Sequence, residues 1–234
     1  IKVGQYLGSG AFLHVLKLGV RGSDDVFVKV PKSHRMKKSL ESEAEVLKNL
    51  CGHSCIPQLY DTDDPIKTLD IKIRCERSAL PCLPLRGLIG RPASHQHSWE
   101  SDKLYVIFSK VYDALEYANR KGWAHLDVRP SNIITRADPR GDRFEVMLID
   151  WGCAHRTAAK LKGFIGCPPY AHDELFGRMK EWNPRVDHDL ASLAYSVASL
   201  SHGSIPWSGF PNHHAVPNDV RKRRFEMASD VLKP

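Results

Sequence analysis

The 234-residue chain has no Cys-x-x-Cys pair, no apolar run long enough to cross a bilayer, no internal repeat and no low-complexity segment. Each absence removes a class. The six cysteines, at 51, 55, 75, 82, 153 and 167, do not read as a zinc framework, because Cys51 and Cys55 have no second pair to complete a tetrahedral site. They read instead as reduced thiols of an intracellular protein. The lack of a long apolar run argues against a membrane span, and the lack of a repeat argues against a solenoid. The start, Ile1-Lys2-Val3-Gly4, has neither an initiator Met nor a signal-peptide pattern, as expected of a domain cut from a longer protein.

What is present is ordinary for a globular chain: 42% apolar and 26% charged residues, sized for one large domain or two small lobes. The net charge of +7 favours anionic partners, whether nucleotide phosphates, acidic peptides or nucleic acid, without choosing among them. The densest basic cluster, Arg221-Lys222-Arg223-Arg224, reads as a nuclear-localisation or phosphate-binding patch, or as a solvated helix face.

The N-terminal third reads as strand, turn, strand, then helix. Apolar-rich runs at 3–7 and 14–20 flank Gly8-Ser9-Gly10, which predicts a hairpin. Val26–Val30 predicts a third strand, bounded by Ser23-Asp24-Asp25 and Pro31. Residues 37–50 switch to helical period, with Leu40, Glu43, Ala44, Leu47 and Leu50 on one face. A carboxylate on an apolar stripe is costly unless paired, so Glu43 calls for a cation inside the fold. Strand-like runs follow at 56–60, 69–76 and 80–85, then a turn-rich link at 87–92. Beyond it, 102–121 and 189–200 read as helices, the first with Leu104, Ile107, Phe108, Val111, Leu115 and Ala118 on its stripe. The chain thus divides into a β-rich part, 1–88, and a larger helical part, 89–234.

The chemistry concentrates at His125-Leu126-Asp127-Val128-Arg129-Pro130-Ser131-Asn132 and at Asp150-Trp151-Gly152. An Asp and an Asn five apart on a short loop can do different jobs. The Asp can accept a hydroxyl proton, and the Asn oxygen can ligate Mg²⁺. Arg129 can place positive charge beside a migrating phosphoryl group. Eighteen residues after Asn132, Asp150 puts a second hard-metal ligand at a strand end, before a Gly that permits a sharp turn.

His-x-Asp-x-x-x-x-Asn followed by Asp-x-Gly resembles the catalytic loop and metal-binding motif of protein kinases. The resemblance implies an α+β, bilobal protein-kinase-like fold, with a β-rich N-lobe and a helical C-lobe. It also implies an ATP- and Mg²⁺-dependent phosphotransferase acting on a protein substrate, most simply a Ser/Thr kinase. In that frame Asp127 is the catalytic base, Asn132 and Asp150 hold Mg²⁺, and Arg129 stands where the family usually has Lys. Gly8-Ser9-Gly10, with Val15, resembles the glycine-rich loop over the nucleotide phosphates, although Leu13 replaces its third Gly. Val26-Phe27-Val28-Lys29 resembles the strand that carries the ATP-phosphate lysine, which makes Lys29 the cation that Glu43 needs. Gly166–Glu174 resembles the end of the activation segment. Cys167 there replaces a Thr that helps hold the catalytic groups, and His172-Asp173 replaces Ala-Pro. Asp189 corresponds to a residue that accepts backbone N–H groups of the catalytic loop, and Ser204-Ile205-Pro206-Trp207 resembles a stretch of casein-kinase-type sequences.

The departures have consequences of their own. Leu126 stands where many regulated kinases carry the Arg that meets an activation-loop phosphate, so activity is expected without such phosphorylation. Residues 153–165 offer only Thr157 as a Ser/Thr hydroxyl. The C-terminal part is short, so either the lobe is minimal or more chain follows, and the partner of Glu174 is sought among Arg221, Arg223 and Arg224. Asp-Trp-Gly and Arg129 resemble the kinase-like domains of fungal proteins and of Crinkler-type effectors of fungi and oomycetes. That resemblance implies a full-length protein secreted to act inside a host cell. Three other functions compete: a pseudokinase scaffold, a small-molecule phosphotransferase, and a nucleic-acid-binding domain using 221–224.

Overall fold

The computed structural model describes residues 2–9, 13–20, 23–33, 37–60, 83–93, 99–137, 143–176, 181–205 and 207. Among these, the elements in chain order are β1 (Lys2–Ser9), β2 (Leu13–Val20), β3 (Ser23–Pro31), α1 (Lys37–Asn49), β4 (Gln58–Leu59), β5 (Leu83–Arg86), β6 (Arg91–Pro92), α2 (Ser101–Arg120), β7 (Trp123–Ala124), β8 (Ile133–Ala137), β9 (Phe144–Leu148), β10 (His155–Arg156) and α3 (Val186–His202). The fold is α+β. No described helix is long and apolar enough to cross a membrane. Gly10, the run at 69–76 and the basic cluster 221–224 lie outside the described residues.

The chain forms two compact units, Ile1–Arg91 with Ile134–Gly152, and Pro92–Ile133 with Cys153–Pro234. The first unit is built on an antiparallel sheet of order β1-β2-β3-β5-β4. Its central strand β3 buries Val26, Phe27, Val28 and Lys29 in succession, so it is covered on both faces. The strand also runs past the boundaries that the polar triplet and the proline suggested. Val20 pairs with Ser23 and Leu13 with Pro31, and a proline is tolerated there because it sits at the strand end. Helix α1 turns Leu40, Glu43, Leu47 and Leu50 inward, as its period predicts, and buries Val46 as well.

The sequence division at 88/89 separates 134–152 from the β-rich part, whereas those residues pack within the first unit. The Leu148 N–H donates to the Cys55 carbonyl at 2.9 Å. Met147 and Ile134 share an apolar cluster with Leu88. A short apolar run does not declare which distant partner it will find, so the pattern could not reveal this return. Gly90 is fixed by it too, because a Cβ there would lie 2.3 Å from the Thr135 carbonyl oxygen.

The second unit packs α2 against α3. Ile107, Val111, Ala114, Leu115 and Ala118 form the buried stripe of α2. Phe108, expected on that stripe, is 41% exposed and stacks on Tyr112 with ring centroids 6.0 Å apart. Helix α3 buries Leu193 and Leu200 together with Ser192, Ser196 and Ser199. Two of these hydroxyls satisfy themselves on the preceding turn, Ser192 on the His188 carbonyl at 2.9 Å and Ser196 on the Ser192 carbonyl at 2.7 Å. Gly203, at φ 75°, closes the helix in the left-handed conformation.

Candidate functional site

Lys29 lies in the sheet interior, opposite Val15 of β2 and Leu83 of β5. A lone buried ammonium would cost several kcal/mol, on the order of the penalty for any desolvated ion. Its Nζ instead meets Glu43 Oε1 at 2.7 Å and Asp150 Oδ1 at 2.9 Å. Burial works against the Lys29 charge, but the two carboxylates outweigh it and hold the ammonium above its ordinary range. Burial likewise pushes the Glu43 carboxyl up, while the Lys29 ammonium and the Trp151 N–H, 3.2 Å from Oε1, pull it back. The two carboxylates are not equivalent. The Glu43 side chain is 2% exposed and that of Asp150 40%, so the first is a fixed internal anion and the second is open to a ligand.

Asp150 holds φ at 66°, a left-handed value that non-glycine residues rarely adopt. The sequence places the sharp turn on Gly152, but the structure places the unusual dihedral on the aspartate two residues earlier. Trp151 anchors this bend. Its ring is fully buried, and its indole N–H donates to the Leu148 carbonyl at 3.1 Å. Tryptophan therefore brings its polar atom with a partner, as a buried indole requires.

The second unit carries the His125–Asn132 loop. Helix α3 grips it through Asp189, whose two oxygens accept the His125 and Leu126 backbone N–H groups at 2.7 Å each. Burial pushes the Asp189 carboxyl up to about 7, against the pull of those two donors. Leu126, at φ 65°, is the other described non-glycine residue with positive φ, and a Cβ on Gly166 would stand 2.3 Å from its carbonyl oxygen. Gly166 is thus required where the 166–176 segment meets the loop. Within the loop, Asn132 spends both amide hydrogens on Asp127, donating to the backbone oxygen at 2.8 Å and to Oδ2 at 2.9 Å. Arg129 Nε stands 3.3 Å from the same Oδ2. Burial pushes the Cys167 thiol up, and the Arg129 and Asp127 charges both act on it, so Cys167 borders these two groups.

A family model described as protein kinase domain matches residues 1–232. The chain belongs to the protein kinase domain family. Strands β1 and β2 pair antiparallel, with Gly8 opposite Val15 and Ser9 opposite His14.

Within the second unit, Asn132 commits both amide hydrogens and presents its side-chain oxygen; within the first, the Asp150 side chain is 40% exposed. Each is a hard oxygen donor of the kind that Mg²⁺ takes. Sequence reasoning missed three groups. Glu174 pairs with Arg185, Nη2 to Oε2 at 2.6 Å, while the late arginines named for it lie outside the described residues. Arg185 lies eleven residues on, immediately before α3, and nothing in its local pattern marks it. Gly166 and His188 were also missed as positioning elements, because a close backbone approach and a ring's tautomer leave no periodic trace.

Proposed function

We propose that this kinase domain is a catalytically active, Mg²⁺- and ATP-dependent Ser/Thr protein kinase. Asp127 accepts the substrate hydroxyl proton, Asn132 and Asp150 hold Mg²⁺, and Lys29 binds the nucleotide phosphates together with Gly8-Ser9-Gly10. The bound metal and triphosphate supply the transferable phosphoryl group and the charge that neutralises it. Arg129 neutralises and orients Asp127. The observation that carries the reading is the buried Lys29–Glu43 pair with Asp150 beside it, 2.7 and 2.9 Å from one ammonium. A scaffold without turnover has no need to keep a costly buried ion pair next to a half-exposed carboxylate.

The test is phosphate transfer from Mg-ATP to mixed Ser/Thr peptides. Asp150→Ala lowers the rate by roughly two to four orders of magnitude, because it removes a metal ligand. Equal background in wild type and variant assigns the chain to the pseudokinases instead. The +7 net charge is compatible with an acidic peptide as substrate. An intracellular site of action, a place among Crinkler-type effectors and a weak nucleic-acid contact through 221–224 belong to the same proposal. The last is checked by the salt dependence of DNA binding with that cluster neutralised.

Activity without loop phosphorylation is part of the proposal. Leu126 is buried with Ala124, Ala171, Leu175, Phe176 and Trp182, and Leu161, Phe164 and Ile165 pack on that cluster. An apolar seam therefore holds the segment where an arginine–phosphate pair would otherwise do so. Arg156 lies over the Trp123 ring at 4.2 Å, and the Thr157 backbone N–H donates to the Gly122 carbonyl at 2.9 Å. Thr157→Ala retains at least about half of the wild-type rate, since it leaves that backbone bond intact. A tenfold loss in steady-state kinetics overturns this part.

A further inference from the structure

His188 sits in the first turn of α3, 2% exposed, one residue before Asp189. Its Nδ1 accepts the Arg185 backbone N–H at 3.3 Å. Its ring packs edge-on against Trp182 and lies 5.4 Å from the His172 ring, centroid to centroid. Its Nε2 is buried with no hydrogen-bond partner among the described residues. That nitrogen points toward Glu174 Oε2, 3.6 Å away and beyond hydrogen-bonding reach. His172 repeats the arrangement, its Nδ1 accepting the Glu174 backbone N–H at 3.0 Å.

A nitrogen that accepts an N–H carries no proton, so the His188 ring in this arrangement is the neutral tautomer with hydrogen on Nε2. This decides between two uses of the cluster. The donor atoms of His172, Glu174 and His188 lie within 4.8 Å of one another, close enough to suggest a metal. A metal-binding histidine needs a lone pair on one nitrogen and a proton to donate from the other. Here Nδ1 is spent as an acceptor and Nε2 holds the proton, and Arg185 already occupies Glu174 at 2.6 Å. The geometry fits a lock held by the neutral His188 ring better than an ion.

We propose that His188 is a positioning residue: as a neutral acceptor it fastens the end of the activation segment to the start of α3, and its protonation at Nδ1 releases the catalytic loop that Asp189 grips. Protonation turns the acceptor into a donor facing the Arg185 N–H, which breaks the helix cap. The groups that face the ring are Glu174, which favours the cation, and His172 and Arg185, which oppose it. Asp187 flanks Arg185 at 3.8 Å, and Asp189 follows in the chain. Burial dominates and lowers the His188 pKa from its ordinary value. The sign follows. The unfolded chain takes up the proton first, so the stabilisation is complete above about 6.5, the free-histidine value, and is lost as pH falls through the lower folded value. The inference rests on the kinase reading only for its rate effect.

The experiment compares wild type with His188→Asn, whose side-chain oxygen can accept the Arg185 N–H but does not titrate. In wild type, kcat and the hydrogen-exchange protection of the His125 and Leu126 amides both fall about tenfold or more in acid, with KM for ATP little changed. In the variant the acid limb flattens. A variant that keeps the full acid response overturns the proposal. Should the variant fold poorly, ¹⁵N shifts of wild-type His188 give an independent answer, with Nε2–H expected and Nδ1–H overturning. A stoichiometric rise in Tm with Zn²⁺ that His172→Ala abolishes also overturns it, in favour of a metal site. If no variant or wild type turns over ATP, the kinase reading fails while the amide protection still tests the lock.

Discussion

Glu43→Ala lowers the unfolding free energy by about 3–5 kcal/mol, the usual cost of leaving one half of a buried ion pair without its partner. In a chain of this size that corresponds to a Tm lower by roughly 10 °C. The magnitude rests on burial. Lys29 and Glu43 are 5% and 2% exposed at the side chain and 2.7 Å apart, so solvent cannot screen the ammonium that remains. Asp150, 2.9 Å from the same ammonium, offsets part of the loss. That rescue has its own consequence: in the variant, Asp150 is drawn further toward Lys29 and away from any metal, so turnover falls by more than stability alone explains. The double variant Lys29→Met with Glu43→Leu separates the two effects. It recovers most of the stability, because apolar residues of similar size replace a buried pair at little net cost, but none of the activity. Urea denaturation with phosphotransfer assays reads both. A Glu43→Ala protein within about 1 kcal/mol of wild type would show that the pair is not buried in solution.

The pairing was legible because it was written twice. Glu43 broke an apolar helical stripe, and Lys29 sat in a run of valines and a phenylalanine, so each was conspicuous as a charge in an apolar pattern. The same holds for β1 to β3 and for the three helices, which form where the apolar runs and helical stretches predict. What stayed hidden were facts of approach rather than pattern. The return of 134–152 to the first unit depends on which apolar faces meet. The left-handed backbone of Leu126 and Asp150 depends on turns that no residue type there advertises, and Gly152 drew attention away from the residue that bears the dihedral. Arg185 is one arginine among many until Glu174 is seen 2.6 Å from it. His172 stood out as a replacement while Glu174 and His188 did not, and only the structure shows that the three meet.

Asp189→Ala is the second large effect, and it acts on the catalytic loop without touching its chemistry. The substitution leaves the His125 and Leu126 backbone N–H groups, each now 2.7 Å from a carboxylate oxygen, buried without an acceptor. At about 1–3 kcal/mol for each unsatisfied donor, the loss is about 2–6 kcal/mol. It falls on a loop already constrained, since Leu126 holds φ at 65° only while its neighbours insist on it. Asp127 follows directly, so kcat drops by a larger factor than the KM for ATP rises. Asp189→Asn gives a finer test through pH. Burial raises the folded carboxyl to about 7, well above the ordinary carboxylate range. Between those values the unfolded chain holds fewer protons than the folded one. The contribution of Asp189 to stability is therefore greatest below the unfolded pKa and diminishes as pH rises to about 7. Asparagine does not titrate, so the stability difference between wild type and Asp189→Asn narrows or reverses from pH 5 to pH 8. This slope is opposite in sign to that of His188, one residue away, and the two variants together separate them. Denaturant midpoints at pH 5 and pH 8 suffice, and a difference that is the same at both would mean that the folded carboxyl is ionised throughout, held by its two backbone donors more firmly than burial opposes them.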